Sequence, residues 1–451
     1  MKNKEIIEDF NQAKKKLEKE IISDIINYLE KGIFPKAKSD GFMNAYFIVQ
    51  TLTDSGDVLS KNLIDYHDKT IKDFVSSCNE KLANDPDNLK LFLKYTENIY
   101  SLIYLMNRIF SYLDRFYTKA KTKISLGKGS LKLYYEYFFK HFQDKVFKEV
   151  NKLIKIDRNG NKEHRMTIEK TMKIFRDLDL EEPIIMKEKN KIFWVGDNNT
   201  GEKEIPEIQN SWFKYFEKDT EKFAKDKAKN DIVLTTPEYV NKQLAYLDEE
   251  NQRQREFIGP KFKSRIDEIN YFYLIGEKTE ELAQKETGIK KMLGKQKNGQ
   301  NIEQLSSLYK LFKLYKNSLD EIINEFKPYI KARGDAIKNN TELSKNPKIF
   351  IPELISLNKE IDNLIYNCFE KKNIFKNAKD TAFRSFMEKE FYPKQLANYT
   401  DFYLRKGIKG KNPSEIGDCL NDIIGLFKYV KEKYIFQMEC DKLMSDRLIK
   451  K

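Results

Sequence analysis

The side chains best suited to catalysis are few and widely separated in this sequence. None of the three histidines, His67, His141 and His164, lies in a His-Glu-x-x-His motif or beside a cysteine pair. An isolated histidine is more often a core or surface residue than a metal ligand. The four cysteines also lack the Cys-x-x-Cys spacing of a zinc site. Their scattered positions fit a reducing intracellular compartment. They are Cys78, Cys368, Cys419 and Cys440. The sequence therefore predicts neither a metal site nor a catalytic nucleophile.

A lysine-rich stretch is the strongest local concentration of charge. Five lysines lie between Lys119 and Lys132 with no acidic residue among them. The segment Gly127-Lys128-Gly129-Ser130 within it lacks the spacing of a phosphate-binding loop and follows no predicted strand. We therefore predict a basic loop between helices, solvated or in electrostatic contact with an acidic partner.

The elements that position these side chains are predicted to be helices. The chain has 451 residues, 34% charged and 13% aromatic, with only 18 glycines and 11 prolines. Few turn-forming residues over such a length indicate long helices, and the length predicts several domains or repeats. The N-terminus has no signal-peptide pattern, and no run of about 18 apolar residues predicts a membrane span. We expect a soluble intracellular protein without a membrane partner.

Apolar spacing and capping signals locate individual elements. A short helix is predicted from Phe42 to Leu52, and a long one begins at Asp85-Pro86 and continues to Phe116. Asn412-Pro413-Ser414-Glu415 has the pattern of a capping box. Residues 183–210 interrupt the helical pattern with β-branched and aromatic clusters. These residues predict either a short hairpin or an irregular insertion.

The C-terminal block resembles the cullin family. Its motifs are LANYTDFYLRK (396–406), LNDIIGLFKYV (420–430), IFQ (435–437) and KLMSDRLI (442–449). Upstream segments are similar to motifs of the first and second cullin repeats. They are Tyr112-Leu113-Asp114-Arg115-Phe116, Asp157-Arg158-Asn159-Gly160, Asp219-Thr220-Glu221 and Leu247-x-Glu249-Glu250 with Arg253. The resemblance covers nearly the whole chain and is weakest over residues 1–40.

The resemblance implies an all-α, elongated helical-repeat solenoid with four parts. They are repeat 1 (1–156), repeat 2 (157–285) with an insertion at 183–210, repeat 3 (286–410), and the first helices of a C-terminal bundle (411–451). Cullins are non-catalytic scaffolds of ubiquitin ligases, so no cofactor and no catalytic residue are expected. The RING-box protein is expected to bind only if a further C-terminal half is present.

The resemblance also implies an adaptor-binding surface in the first repeat. Phe42-Met43-x-x-Tyr46-x-x-Val49 is similar to the second-helix segment of cullins that build SCF-type ligases. The implied partner is a Skp-type or BTB-fold adaptor, which carries an F-box-like substrate receptor. The fifth helix is expected to supply Tyr112, Arg115 and Phe116. A competing interpretation places these second-helix residues, above all Met43 and Val49, in the repeat's own core.

Two other functions remain compatible with the composition. The first is a helical-rod tethering subunit of the exocyst type. The second is a nucleic-acid-binding helical repeat, suggested by the net charge of +13. Because the basic residues are dispersed among acidic ones, nucleic acid is the less favoured partner.

Overall fold

The computed structural model describes residues 2–31, 39–121, 124–180, 183–188, 191–196, 207–294 and 300–449. These residues are helical almost throughout, which confirms the all-α class. The chain divides into two compact units. Unit 1 comprises Met1–Thr220 and Glu250–Lys263, and unit 2 comprises Glu221–Glu249 and Ser264–Lys451. The division into three repeats and a terminal bundle stays a prediction.

Unit 1 contains ten helices of its own within the described ranges, and a two-stranded sheet. The helices are α1 Lys2–Leu17, α2 Ser23–Lys31, α3 Ser39–Asp54, α4 Asp57–Ala83, α5 Leu89–Ile109, α6 Ser111–Leu113, α7 Lys119–Lys121, α8 Leu126–Tyr134, α9 Lys140–Arg158 and α10 Arg165–Leu178. Single π-helical turns follow or interrupt them at Glu18–Ile22, Asp114–Thr118, Tyr135–Phe139 and Gln254–Ile258. The strands are β1 Ile184–Glu188 and β2 Lys191–Val195. Helices α11 Ile208–Asp231 and α12 Thr236–Arg253 contribute residues to both units.

The predicted second helix is confirmed as α3, whereas the predicted start of the long helix is wrong. Helix α5 begins after Asn88, and the Leu91 backbone N–H donates to Asn88 Oδ1 at 2.9 Å. Asn88 is thus the N-cap that Asp85 was expected to be. The helix also ends at Ile109 and does not reach Phe116.

The basic segment is mostly helical and is not the predicted loop. Residues 119–121 form α7 and residues 126–134 form α8, while 122 and 123 lie outside the described residues. Ser125 caps α8 because its Oγ accepts from the Lys128 N–H at 3.1 Å. This serine cap partly offsets the low helix propensity of Gly127 and Gly129.

Of the two alternatives for residues 183–210, the hairpin is confirmed over the described part. Strands β1 and β2 pair antiparallel, from Ile184 opposite Val195 to Glu188 opposite Lys191. Residues 197–206 lie outside the described ranges.

Aromatic side chains fill the core of unit 1. Phe175 lies between Phe147 and Trp212, with ring centroids 5.2 and 6.0 Å away. Trp212 then stacks on Phe216 at 4.7 Å. The buried Trp212 Nε1 donates to Asn151 Oδ1 at 2.9 Å, so its polar atom is satisfied.

A buried ion network joins three of the motifs that carry the family resemblance. Arg158 donates from Nε to Glu250 Oε2 at 3.2 Å and from Nη2 to Thr220 Oγ1 at 3.1 Å. Arg253 donates from Nε to Asp157 Oδ2 at 2.6 Å. Burial opposes ionisation of Glu250, but Arg158 and Arg253 outweigh it and hold the pKa of Glu250 below its usual value. The motifs therefore have a structural role in closing unit 1.

Unit 2 is built from eleven further helices within the described ranges, the first of which begins at the last residue of unit 1. They are α13 Lys263–Leu274, α14 Thr279–Gln284, α15 Ile289–Leu293, α16 Gln300–Phe312, α17 Ser318–Asn339, α18 Thr341–Ser344, α19 Pro347–Cys368, α20 Asn373–Phe386, α21 Phe391–Phe402, α22 Pro413–Phe427 and α23 Lys433–Ile449. The capping box predicted at Asn412 and Glu415 is confirmed at the start of α22.

The C-terminal motif residues also pack against one another. Asp401 forms ion pairs with Arg405 and Arg447, each at 3.0 Å. Tyr429 is buried, stacks on Phe383 and donates its hydroxyl to Asp380 Oδ1 at 2.8 Å. These contacts give the C-terminal motif residues a structural role in unit 2.

Candidate functional site: an exposed aromatic patch

Helix α3 presents one face to the core of unit 1 and one to solvent. Ala45, Val49 and Leu52 are buried on the inner face. Met43 is 54% exposed and Phe47 is 52% exposed on the outer face. Tyr46, between them, is half-buried. The 3.6-residue period explains this division, because positions 45, 49 and 52 repeat at three- and four-residue intervals.

The second side of the surface comes from α6 and the π-helical turn after it. Phe116 is 57% exposed and its ring centroid lies 4.5 Å from that of Tyr112. The Tyr112 ring meets Tyr46 edge to face, with centroids 6.3 Å apart and planes at 90°. Tyr46 also contacts Phe47 at 6.0 Å. We call Met43, Tyr46, Phe47, Tyr112 and Phe116 the aromatic patch.

A hydrogen bond fixes the position of Tyr112 in the patch. Its hydroxyl donates to Asp54 Oδ1 at 2.8 Å, which ties α6 to the end of α3. This bond to a carboxylate, more than burial, raises the pKa of Tyr112 above its usual value. Tyr112 therefore keeps its hydroxyl proton at neutral pH and can donate this hydrogen bond to Asp54.

The structure brings together five of the seven residues proposed from the resemblance. Met43, Tyr46, Tyr112 and Phe116 belong to the patch, and Phe42 is half-buried at the start of α3. Arg115 is exposed, with its guanidinium 6.0 Å from the Phe116 ring centroid. Phe42 and Val49 are the other two.

Val49 is 0% exposed and packs in the core of unit 1, so it cannot contact a partner in this structure. Phe47 was not among the proposed residues, although it is exposed and contacts Tyr46. The helical period would have found Phe47, because it lies four residues after Met43 on the same face.

His67 is a buried residue whose two ring nitrogens both have hydrogen-bond partners. His67 is buried, with Nε2 3.0 Å from Asn107 Oδ1 and Nδ1 2.9 Å from Asp68 Oδ1. Across the described part of the chain, no three His, Cys, Asp or Glu side chains form a group that could hold a metal ion. The described helices also include none that is long and apolar enough to cross a membrane.

Comparison with known proteins gives one consistent result. The family model described as the cullin alpha solenoid domain matches residues 15–451. Similar curated proteins include Cullin-1 of Schizosaccharomyces pombe, 22% identical over 89% of this chain and 52% of that protein. Cullin-3B of Arabidopsis thaliana is 22% identical over 95% of this chain and 54% of its own length.

A third relative, Cullin-3 of Dictyostelium discoideum, is 22% identical over 90% of this chain and 50% of that protein. The chain thus spans about half the length of the curated relatives it matches. Relatives named Cullin-1 and Cullin-3 match at equal identity, so these matches do not assign a subfamily. Since the family model covers nearly every residue, the chain belongs to the cullin family.

Proposed function

We propose that this chain is an intracellular scaffold of a cullin-type ubiquitin ligase and that its aromatic patch binds the adaptor. The adaptor is of the Skp-type or BTB-fold class and carries an F-box-like substrate receptor. The observation that carries the proposal is the patch itself, which exposes apolar rings where the cullin resemblance predicts adaptor contact.

The composition of the patch favours protein binding. Tyrosine, phenylalanine, methionine and arginine are enriched in the centres of protein interfaces. Monomeric proteins seldom expose several large apolar side chains side by side without a partner. Met43, Phe47 and Phe116 are each more than half exposed, and Arg115 lies beside Phe116.

The patch is also organised before binding. Tyr46 and Tyr112 restrict each other, and the bond from Tyr112 to Asp54 holds the second ring in place. A surface whose side chains are already ordered loses less conformational entropy on association. The half-buried Phe42, in the first turn of α3, is proposed as a further adaptor contact.

The proposed mechanism is positional, and the chain itself is not a catalyst. A scaffold that holds substrate and ubiquitin-charged enzyme together raises their effective concentration without forming or breaking a bond. We expect no ubiquitin transfer by this polypeptide alone.

Calorimetric titration tests adaptor binding directly. A purified Skp-type adaptor and a purified BTB-fold adaptor are each titrated into the parent chain and into Phe47→Ala/Phe116→Ala. Truncating central interface aromatics costs at least about 2 kcal/mol, so the double variant should bind at least roughly thirtyfold more weakly. Because both side chains are more than half exposed, its thermal unfolding midpoint should stay near that of the parent.

A matched control separates the patch from exposed aromatic residues in general. Phe272 is an exposed phenylalanine of unit 2, in contact with Tyr273 and Tyr315. Phe272→Ala should leave adaptor affinity unchanged. Equal binding by the parent and the patch variant, or no binding of either adaptor class, would contradict the proposed function.

A further inference from the structure

The hairpin of β1 and β2 docks on unit 1 through one of its two faces. Ile185 and Trp194 are directly opposite each other in the sheet. Trp194 is buried, with its ring 5.8 Å from that of Tyr100 on α5 and perpendicular to it. Side chains alternate between faces along a strand, so Ile185 and Trp194 define the inner face.

The outer face of the hairpin exposes apolar side chains. Ile184 is 56% exposed, Met186 is 47% exposed and Val195 is 37% exposed. Ile184 pairs with Val195, and Met186 lies two residues further along β1, so all three share this face. A solvated face of an antiparallel sheet is usually polar, whereas three apolar side chains are exposed on this one.

A groove of about 520 Å³ separates the hairpin from the aromatic patch. Met43 and Tyr46 line one side of the groove, and Ile184 and Ile185 line the other. The patch and the hairpin are therefore two walls of one depression, and a partner seated on the patch would also meet β1.

Close backbone packing fixes the hairpin wall against α8. A Cβ atom placed on Gly127 would lie 2.6 Å from the carbonyl oxygen of Pro183, the residue just before β1. Only glycine permits this approach. Gly127 and Pro183 both line the groove, so their close approach fixes the start of β1 against α8 at this place.

The cationic side chains at this surface indicate the charge of a partner segment that could bind in the groove. Arg108 lines the groove and contacts Tyr104, with Nη1 3.4 Å from its hydroxyl. Arg115 lies beside Phe116. Neither guanidinium forms an ion pair with a carboxylate of the described residues, whereas Asp114 in the same groove is 3.6 Å from Lys119. Unpaired arginines beside an apolar depression favour an acidic partner segment.

We infer that the groove receives an acidic segment of the adaptor that inserts an apolar side chain between the aromatic patch and β1. The hairpin thereby becomes part of the adaptor-binding surface and contributes to the choice of adaptor. This inference rests on the proposed function, since it names a second contact made by the same partner.

The first test places charge on the outer face of the hairpin. Ile184→Asp/Met186→Asp is titrated with the adaptor that binds the parent chain, beside the control Val233→Asp, an exposed apolar position of unit 2. The hairpin variant should bind at least about tenfold more weakly than the parent. Each new carboxylate repels an acidic segment, and each substitution removes an apolar contact. The control should bind like the parent, and far-ultraviolet circular dichroism should show equal helix content.

The second test changes the cations and measures salt dependence. Arg108→Gln/Arg115→Gln should bind more weakly than the parent, and its affinity should fall less steeply between low and physiological salt. An unchanged salt dependence would overturn the acidic character of the occupant.

The outcomes separate this inference from the proposed function. If Phe47→Ala/Phe116→Ala loses adaptor binding while Ile184→Asp/Met186→Asp binds like the parent, the hairpin contact is wrong and the proposed function stands. If the hairpin variant binds adaptor normally but loses only the substrate receptor, the assigned occupant is wrong. If neither adaptor class binds the parent chain, both proposals fail together.

Discussion

Tyr46 and Tyr112 meet edge to face with their ring centroids 6.3 Å apart, and this contact joins α3 to α6 at the surface of unit 1. The contact makes the aromatic patch one organised surface, because each ring limits the rotamers of the other. The hydrogen bond from Tyr112 to Asp54 Oδ1 adds a second tie between the same two elements.

A double-mutant cycle should detect the coupling between these two tyrosines. Aromatic pairs of this geometry are worth about 0.5–1.5 kcal/mol beyond the area they bury. Tyr46→Ala, Tyr112→Ala and the double variant are compared with the parent by urea unfolding. The double variant should therefore lose less free energy of unfolding than the sum of the two single variants, by about that amount. Strictly additive losses would mean that the two rings do not interact.

The buried ion network should tolerate loss of one partner poorly. Glu250→Gln leaves Arg158 and Arg253 without their shared carboxylate, at sites almost closed to solvent. Breaking a buried pair in this way typically costs about 3–5 kcal/mol of the free energy of unfolding. Chemical denaturation measures the loss.

The exposed pair of Lys170 and Glu97 provides the control for that change, with 2.7 Å between Nζ and Oε1. Glu97→Gln should cost no more than about 1 kcal/mol, because solvent screens exposed pairs. Similar losses at Glu97 and Glu250 would contradict the structural role of the network.

The sequence was sufficient for α3, for the capping box of α22 and for the all-α class. These depend on local spacing and capping, which a single sequence displays. The buried network could not be derived from spacing, because Arg158 and Glu250 are 92 positions apart and meet only through tertiary packing. The family motifs contained both residues, although the sequence did not show that they touch.

The errors on the candidate surface also have a physical explanation. The resemblance places Phe42, Met43, Tyr46 and Val49 on the adaptor-binding surface, but Val49 is buried in the core of unit 1 with Ala45 and Leu52. This helix has apolar residues on both of its faces, so the helical period alone does not identify which face is buried. Contacts with the rest of unit 1 decide it, and they turn Phe47 outward.

Asp177 should make stability depend on pH in the direction opposite to most carboxylates. Burial raises its pKa from 3.8 to about 7, despite the nearby cations Lys173 and Arg176. Its Oδ2 has no hydrogen-bond partner among the described residues. Between these two values the folded chain retains a proton that the unfolded chain releases. The free energy of unfolding therefore falls as pH rises from 3.8 towards about 7.

Asp177→Asn removes that titration. The free energy of unfolding of the variant should exceed that of the parent by about 1–4 kcal/mol at pH 8, and this difference should shrink towards pH 5. Urea unfolding of both proteins at the two pH values measures it. A gain that does not change with pH would show that Asp177 ionises normally in the folded chain.

Gly127 and Gly129 form a matched pair for testing how the hairpin is held. Gly127→Ala places a methyl group 2.6 Å from the Pro183 carbonyl oxygen, whereas Gly129→Ala meets no atom within 4 Å. The first should destabilise unit 1 by about 1–3 kcal/mol through overpacking. The second should stabilise α8 by about 0.5–1 kcal/mol, because alanine favours the helix. Equal effects would mean that the hairpin does not pack on α8.

Hydrogen–deuterium exchange of the chain alone and bound to adaptor tests the central claim most directly, because it locates the contact without mutation. The account predicts slower exchange in α3 and residues 111–118 on adaptor binding, with a second protected segment in β1. Exchange over α19 and α20 of unit 2 should be unchanged. Protection confined to unit 2, with α3 exchanging at the same rate in both states, would contradict the assignment of the aromatic patch as the adaptor-binding surface.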